Sequence, residues 1–249
     1  MEGIGLGLPE GIGYADLLAP LLLLLAWIGY VLYADILRIG RGSLMALMHE
    51  QRVVWMLRML ERDNRMVDIQ IVQVLIQNIS FFASSTILIV GGAVAVLGAG
   101  DEARMIAAQL PFAQEGPSYL WDLKILLLVV IFVYAFFKFT WALRQFNHVA
   151  ILIGGIPLNA DHPAAEAHAR RLALLATKAA DHFNRAMRAY YFGLAALSWF
   201  VQPWLLVAAS LVVLVVVWRR EYRSNAVLHL NPDDAVLPPA RRPGSGRPP

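Results

Sequence analysis

Four long runs of apolar residues are separated by polar and charged segments. A bilayer core about 30 Å thick is crossed by roughly 20 helical residues, so a run of this length predicts one membrane-spanning helix. The runs therefore predict an all-α integral membrane bundle of four transmembrane helices. They cover residues 17–37, 79–97, 120–139 and 190–218.

The fourth run is interrupted by Gln202-Pro203 at its middle, which is consistent with either a kink or a hairpin. Two crossings need about 40 residues, more than the run contains. The sequence therefore predicts one long, tilted, proline-kinked helix.

Between the runs, the connecting segments are themselves helical in pattern. Ser43 can cap a helix over 43–64, and Asp161 can cap one over 164–188. These helices are expected to be cytoplasmic extensions of the bundle and to pack through Met56, Met59, Leu172 and Phe183. The predicted domains are an N-terminal segment 1–16, a membrane domain 17–222 and a disordered Pro/Arg-rich tail 223–249.

Lys and Arg concentrate in the first and third connections, which predicts that both are cytoplasmic and that both termini lie outside. Asp68 is expected to pair with Arg65 at the interface. Arg219, Arg220 and Arg223 oppose this orientation, since they follow the last run.

Composition narrows the possible chemistry. The chain is 59% hydrophobic, has a net charge of +3 and contains no cysteine, which excludes disulfides and thiolate metal sites and argues against nucleic-acid binding. None of the histidines lies deep in an apolar run, and no nucleotide-binding loop, nucleophile elbow or zinc-protease motif is present. We therefore expect no enzymatic activity, cofactor or metal.

A polar stripe marks the second span. Gln70, Gln73, Gln77, Ser80 and Ser84 recur at spacings of 3 and 4, so they share one helix face. Two hypotheses remain open: the stripe joins helices by hydrogen bonds, or it lines a polar path.

A methionine face marks the 43–64 helix, formed by Met45, Met48, Met56 and Met59. Thioethers can bind Cu(I), but such a face is more typical of an adaptable apolar contact. Lys138, at the end of the third run, is expected to extend to the cytoplasmic interface.

Six blocks along the chain form a joint pattern: RDNRMVD (62–68), SFFASSTILI (80–89), LWDLK (120–124), FVYAFFKFTW (132–141), RQFNH (144–148) and YYFGLAALSWFVQPW (190–204). Together these blocks resemble the DUF599 family of multi-span bacterial and plant membrane proteins, a domain of unknown function. The resemblance covers roughly residues 27–222 and implies an inner-membrane protein, with no assigned catalytic or binding residue.

Taken together, these features favour a non-enzymatic assembly or accessory protein of the inner membrane that acts through helix contacts. Its expected partners are the lipid bilayer and either further copies of the chain or another membrane protein. The alternative is a small oligomeric ion channel or transporter whose path is lined by the polar stripe.

Overall fold

The computed structural model describes residues 13–36, 43–108, 117–157 and 162–230, and no strand occurs in these ranges. Its helices are α1 (Tyr14–Ile36), α2 (Leu44–Leu60), α3 (Met66–Gly98), α4 (Asp101–Ala108), α5 (Ser118–Gly154), α6 (Ala165–Ala196), α7 (Pro203–Tyr222) and α8 (Asn225–Leu230). A 3₁₀ turn, Leu197–Phe200, follows α6.

The all-helical fold predicted from the apolar runs is confirmed. Four segments are long and apolar enough to cross a membrane: Tyr14–Ala34, Met66–Gly98, Ser118–Gly154 and Pro203–Leu230. The second and third of these are much longer than a bilayer core requires, so α3 and α5 extend beyond their apolar parts.

The fourth apolar run differs from its prediction, because it is not one kinked helix. The chain reverses at Gln202, whose backbone is extended (φ −155°, ψ 143°), and Pro203 begins α7. Proline has no N–H to donate and disfavours helical geometry in the residue before it, so a helix starts here more readily than it continues.

The end of α6 and α7 form an antiparallel hairpin. Arg188 of α6 lies 3.5 Å from Glu221 of α7. In addition, Arg220 donates to the Tyr191 hydroxyl at 3.1 Å. The length argument against a hairpin was wrong because the first arm belongs to α6, most of which lies outside the apolar run.

This hairpin also determines at which end of the bundle α7 finishes. We call the end of the bundle that carries α2 and the start of α3 the basic end. At the other end, the Trp199 indole donates to Asp16, near the start of α1. The ring of Tyr222, at the end of α7, instead lies 6.3 Å from Tyr33, near the end of α1, and α8 contacts α2.

Residues 219–223 therefore lie at the basic end, opposite the start of α1. The sequence predicted that the start of the first span and the end of the fourth share one side, whereas the structure places the start of α1 and the end of α7 at opposite ends of the bundle. The arginines that opposed the predicted orientation, Arg219, Arg220 and Arg223, lie at the same end of the bundle as α2 and the start of α3.

Antiparallel neighbours build the core around α5, which packs between α3 and α6. Gly193 of α6 lies against α5: a Cβ placed there would lie 2.9 Å from the ring of Phe132. The Phe132 side chain of α5 packs directly against the α6 backbone here because glycine has no side chain.

At the basic end, α2 packs against the first half of α6. Ser43 caps α2 by accepting from the Ala46 N–H at 3.2 Å, as its sequence position predicts. Leu172 is buried, whereas Phe183 is partly buried and contacts the rings of Phe82 and Phe139. The predicted cap Asp161 and the tail from residue 231 lie outside the described residues.

Candidate functional site

The polar stripe lies on the outer surface of this chain. Four of its five side chains are exposed and Ser80 is partly exposed; the exposed ones are Gln70, Gln73, Gln77 and Ser84. The packed face of α3 is a different one, where Val72, Ile79 and Ala83 are buried against α5. Within the described ranges, no hydrogen bond involves the three glutamine side chains. In a single copy, the stripe therefore neither joins two helices nor encloses a path.

The same spacing continues along α3 beyond the polar residues. Exposed positions follow Ser84 at alternating intervals of 3 and 4 residues, and no atom lies within 4 Å of where a Cβ would be added at Gly91 or Gly98. We call this row the α3 seam; it comprises Gln70, Gln73, Gln77, Ser80, Ser84, Ile87, Gly91, Val94 and Gly98. A 3–4 alternation is typical of left-handed helix pairs, and small residues let two backbones approach closely.

The methionine face packs inside the chain. Met56 and Met59 are fully buried, Met45 is buried and Met48 is partly exposed. Across the interface with α6, the Asn184 amide contacts the Met45 sulfur. These methionines contribute to the contact between α2 and α6.

Asp68 and Arg65 form hydrogen bonds that connect α2, α3 and the segment after α5. Buried Asp68 accepts from the Trp55 indole at 2.7 Å and pairs with Arg62, not with Arg65 as the sequence suggested. Arg65 instead donates to the carbonyls of Ile156 and Pro157 at 2.9 and 2.8 Å. These two hydrogen bonds join the start of α3 to the segment that follows α5.

Sequence reasoning missed a buried charged cluster at the basic end. Arg188 and Glu221 pair there, and the Arg188 guanidinium lies 5.1 Å from the ring centroid of Tyr30. The sequence carried only a weak signal, because both residues lie at the margins of the fourth apolar run.

A second missed cluster lies at the opposite end of the bundle. The Lys124 ammonium lies 5.5 Å from the ring centroid of Trp199, which donates to Asp16 at 3.3 Å. Lys124 and Asp16 are both buried. The available signal was a lysine four residues into the third apolar run, since charged residues inside such runs usually face a bundle interior.

Metal-ligating side chains are dispersed in this structure. Across the ranges that the structure describes, no group of three or more His, Cys, Asp or Glu residues could hold a metal ion.

Comparison with known proteins identifies one family. The family model described as "Protein of unknown function, DUF599" matches residues 18–226, most of the chain. No curated protein matches. No solved structure matches either.

Proposed function

This chain belongs to the DUF599 family, and we propose that it is a non-enzymatic assembly component of the inner membrane that pairs with a second copy of itself through the α3 seam. The observation that carries the proposal is the exposed polar row of α3, in which Gln70, Gln73 and Gln77 lie on one uncovered face of a helix that continues into an apolar span. Gln70 and Gln73 lie on the part of α3 that precedes the apolar run, whereas Gln77 adjoins that run and Ser84 lies within it. Polar side chains at that depth usually face protein or water rather than lipid.

A second copy is the partner that suits this seam best. Copies of one protein share one orientation in a membrane, so a two-fold axis pairs their α3 helices in parallel. Each residue of the seam then meets its own counterpart, as in parallel two-stranded coils. Glutamine amides both donate and accept, so equivalent glutamines can bind each other.

The orientation we propose places the basic end in the cytoplasm, because Lys and Arg are enriched in cytoplasmic segments. Because the second half of α6 runs antiparallel to α7, it crosses the membrane as a fifth segment in this proposal. The start of α1 then faces outward and α8 faces inward. The arginines at 219, 220 and 223 support this orientation.

Single cysteines test this orientation, since the chain has none of its own. An Asn225→Cys variant should resist a membrane-impermeant thiol reagent in intact cells and react after permeabilisation. A Glu102→Cys variant, in α4 at the opposite end, should react in intact cells. Labelling of Asn225→Cys in intact cells would overturn the proposed orientation.

Cross-linking tests the seam itself. Gln77→Cys should form a disulfide-linked dimer when native membranes are oxidised, because equivalent seam positions face each other across the two-fold axis. Val74→Cys is the matched control: it is exposed on the same stretch of α3 but lies off the seam. Equal cross-linking at both positions, or none at Gln77, would contradict a dimer formed by the seam.

The oligomeric channel remains the alternative, because the same stripe could line a path between copies. Under our proposal, purified wild-type protein in liposomes passes no ions. Reproducible ion flux that Gln77→Leu abolishes without changing oligomer size would favour the channel. If Gln77→Cys instead cross-links to a different membrane protein, that protein, and not a second copy, is the partner at the α3 seam.

A further inference from the structure

A groove opens on the surface between α5 and α6. Its lining combines aromatic rings with a lysine, a histidine and a threonine: Tyr134, Phe137, Lys138, Thr140, Trp141 and His182. None of these residues contributes to the α3 seam or to the buried charged clusters.

Lys138 supplies a positive charge that no acidic group neutralises directly. Within the part of the chain that the structure describes, its ammonium has no ion pair or hydrogen bond and lies 5.3 Å from the ring centroid of Tyr134. The wall of the groove thus presents a cation supported by an aromatic face.

Arginines near the groove add positive charge to that of Lys138. Burial and the positive charges of Lys138 and Arg185 lower the pKa of His182, although Asp181 acts in the opposite direction. Arg144 adds a further cation, 5.7 Å from the ring centroid of Trp141. A ligand that suits this environment is negatively charged.

The apolar border of the groove indicates the rest of the ligand. Phe137 and Trp141 are 64% and 46% exposed beside Lys138, where the apolar run of α5 gives way to the polar RQFNH segment. Aromatic and basic residues occur together in this way at the level of lipid headgroups. A soluble anion would use the charge but leave the exposed rings uncovered.

We propose that this groove binds one anionic phospholipid of the cytoplasmic leaflet, with its phosphate at Lys138 and His182 and its acyl chains along Phe137 and Trp141. Basic pockets between membrane helices on the cytoplasmic side are suited to such headgroups. This inference rests on the membrane location in the proposed function, but it does not depend on the α3 seam.

Native mass spectrometry of the purified protein tests the site, with phosphatidylglycerol and phosphatidylcholine titrated in parallel. Wild type should bind phosphatidylglycerol more tightly, and Lys138→Gln should weaken that binding about fivefold, the effect of one basic residue near an anionic surface. Arg171→Gln is the matched control: it removes an exposed charge from α6 outside the groove and should leave binding unchanged. Equal binding by wild type and Lys138→Gln, or equal weakening by both variants, would overturn the site.

Two further measurements distinguish a failure of the proposed lipid site from a failure of the proposed membrane location. Glycerophosphoglycerol, the headgroup without acyl chains, and inorganic phosphate should not compete at lipid concentrations; full competition by either would make the ligand a soluble anion and overturn the lipid proposal. Alkaline extraction of native membranes reports the membrane location independently. Protein released by that extraction would refute the proposed function, whereas retained protein without phosphatidylglycerol preference would refute only this site.

Discussion

Replacing Glu221 with alanine is expected to destabilise the protein by about 3–5 kcal/mol, the cost of leaving one member of a buried ion pair uncompensated. The side chains of Arg188 and Glu221 are only 7% and 13% exposed and lie 3.5 Å apart. The loss should appear as a lower free energy of unfolding in detergent micelles, followed by tryptophan fluorescence.

Two control variants isolate the cause of this loss. Glu166→Ala removes the acid of an exposed pair with Arg170, at 2.8 Å, and should cost less than about 1 kcal/mol because water already solvates both charges. Arg188→Met combined with Glu221→Leu removes both buried charges and should recover most of the stability. Equal losses in Glu166→Ala and Glu221→Ala would show that burial of the pair does not determine its contribution.

The charged pair also illustrates why the fourth apolar run was predicted to be one kinked helix rather than part of a hairpin. Run length and hydropathy are local properties, and they correctly predicted the apolar helices and the all-helical fold. In the hairpin, Arg188 meets Glu221, 33 positions further along the chain. Neither residue indicates its partner, so the pairing, the reversal at Gln202 and the direction of α7 required the tertiary structure.

The α3 stripe shows the same limit at the candidate site. Helical periodicity alone placed Gln70, Gln73 and Gln77 on one face, and the structure keeps them there. Periodicity could not determine whether that face meets another helix of the chain. The answer comes from the packing of α5 on a different face of α3, which leaves the stripe uncovered in one copy.

Neighbouring phenylalanines on α5 provide the second large effect. Phe139 is fully buried, stacks on Phe82 with ring centroids 5.7 Å apart, and lies 5.8 Å from Phe183. Phe139→Ala should therefore lower the free energy of unfolding by about 3–5 kcal/mol, because the neighbouring rings cannot close the cavity completely.

The matched control is Phe137→Ala, two residues away and 64% exposed. This substitution removes the same ring but opens no cavity, so we expect a loss below about 0.5 kcal/mol in detergent, as for surface positions generally. Both variants are measured under the conditions used for Glu221→Ala. A large loss for Phe137→Ala would show that its ring is covered in the assembled protein, and a small loss for Phe139→Ala would show that the contacts between α3, α5 and α6 do not form the stable core. The difference between the two variants therefore measures the packing of α5 against its neighbours rather than the removal of an aromatic side chain.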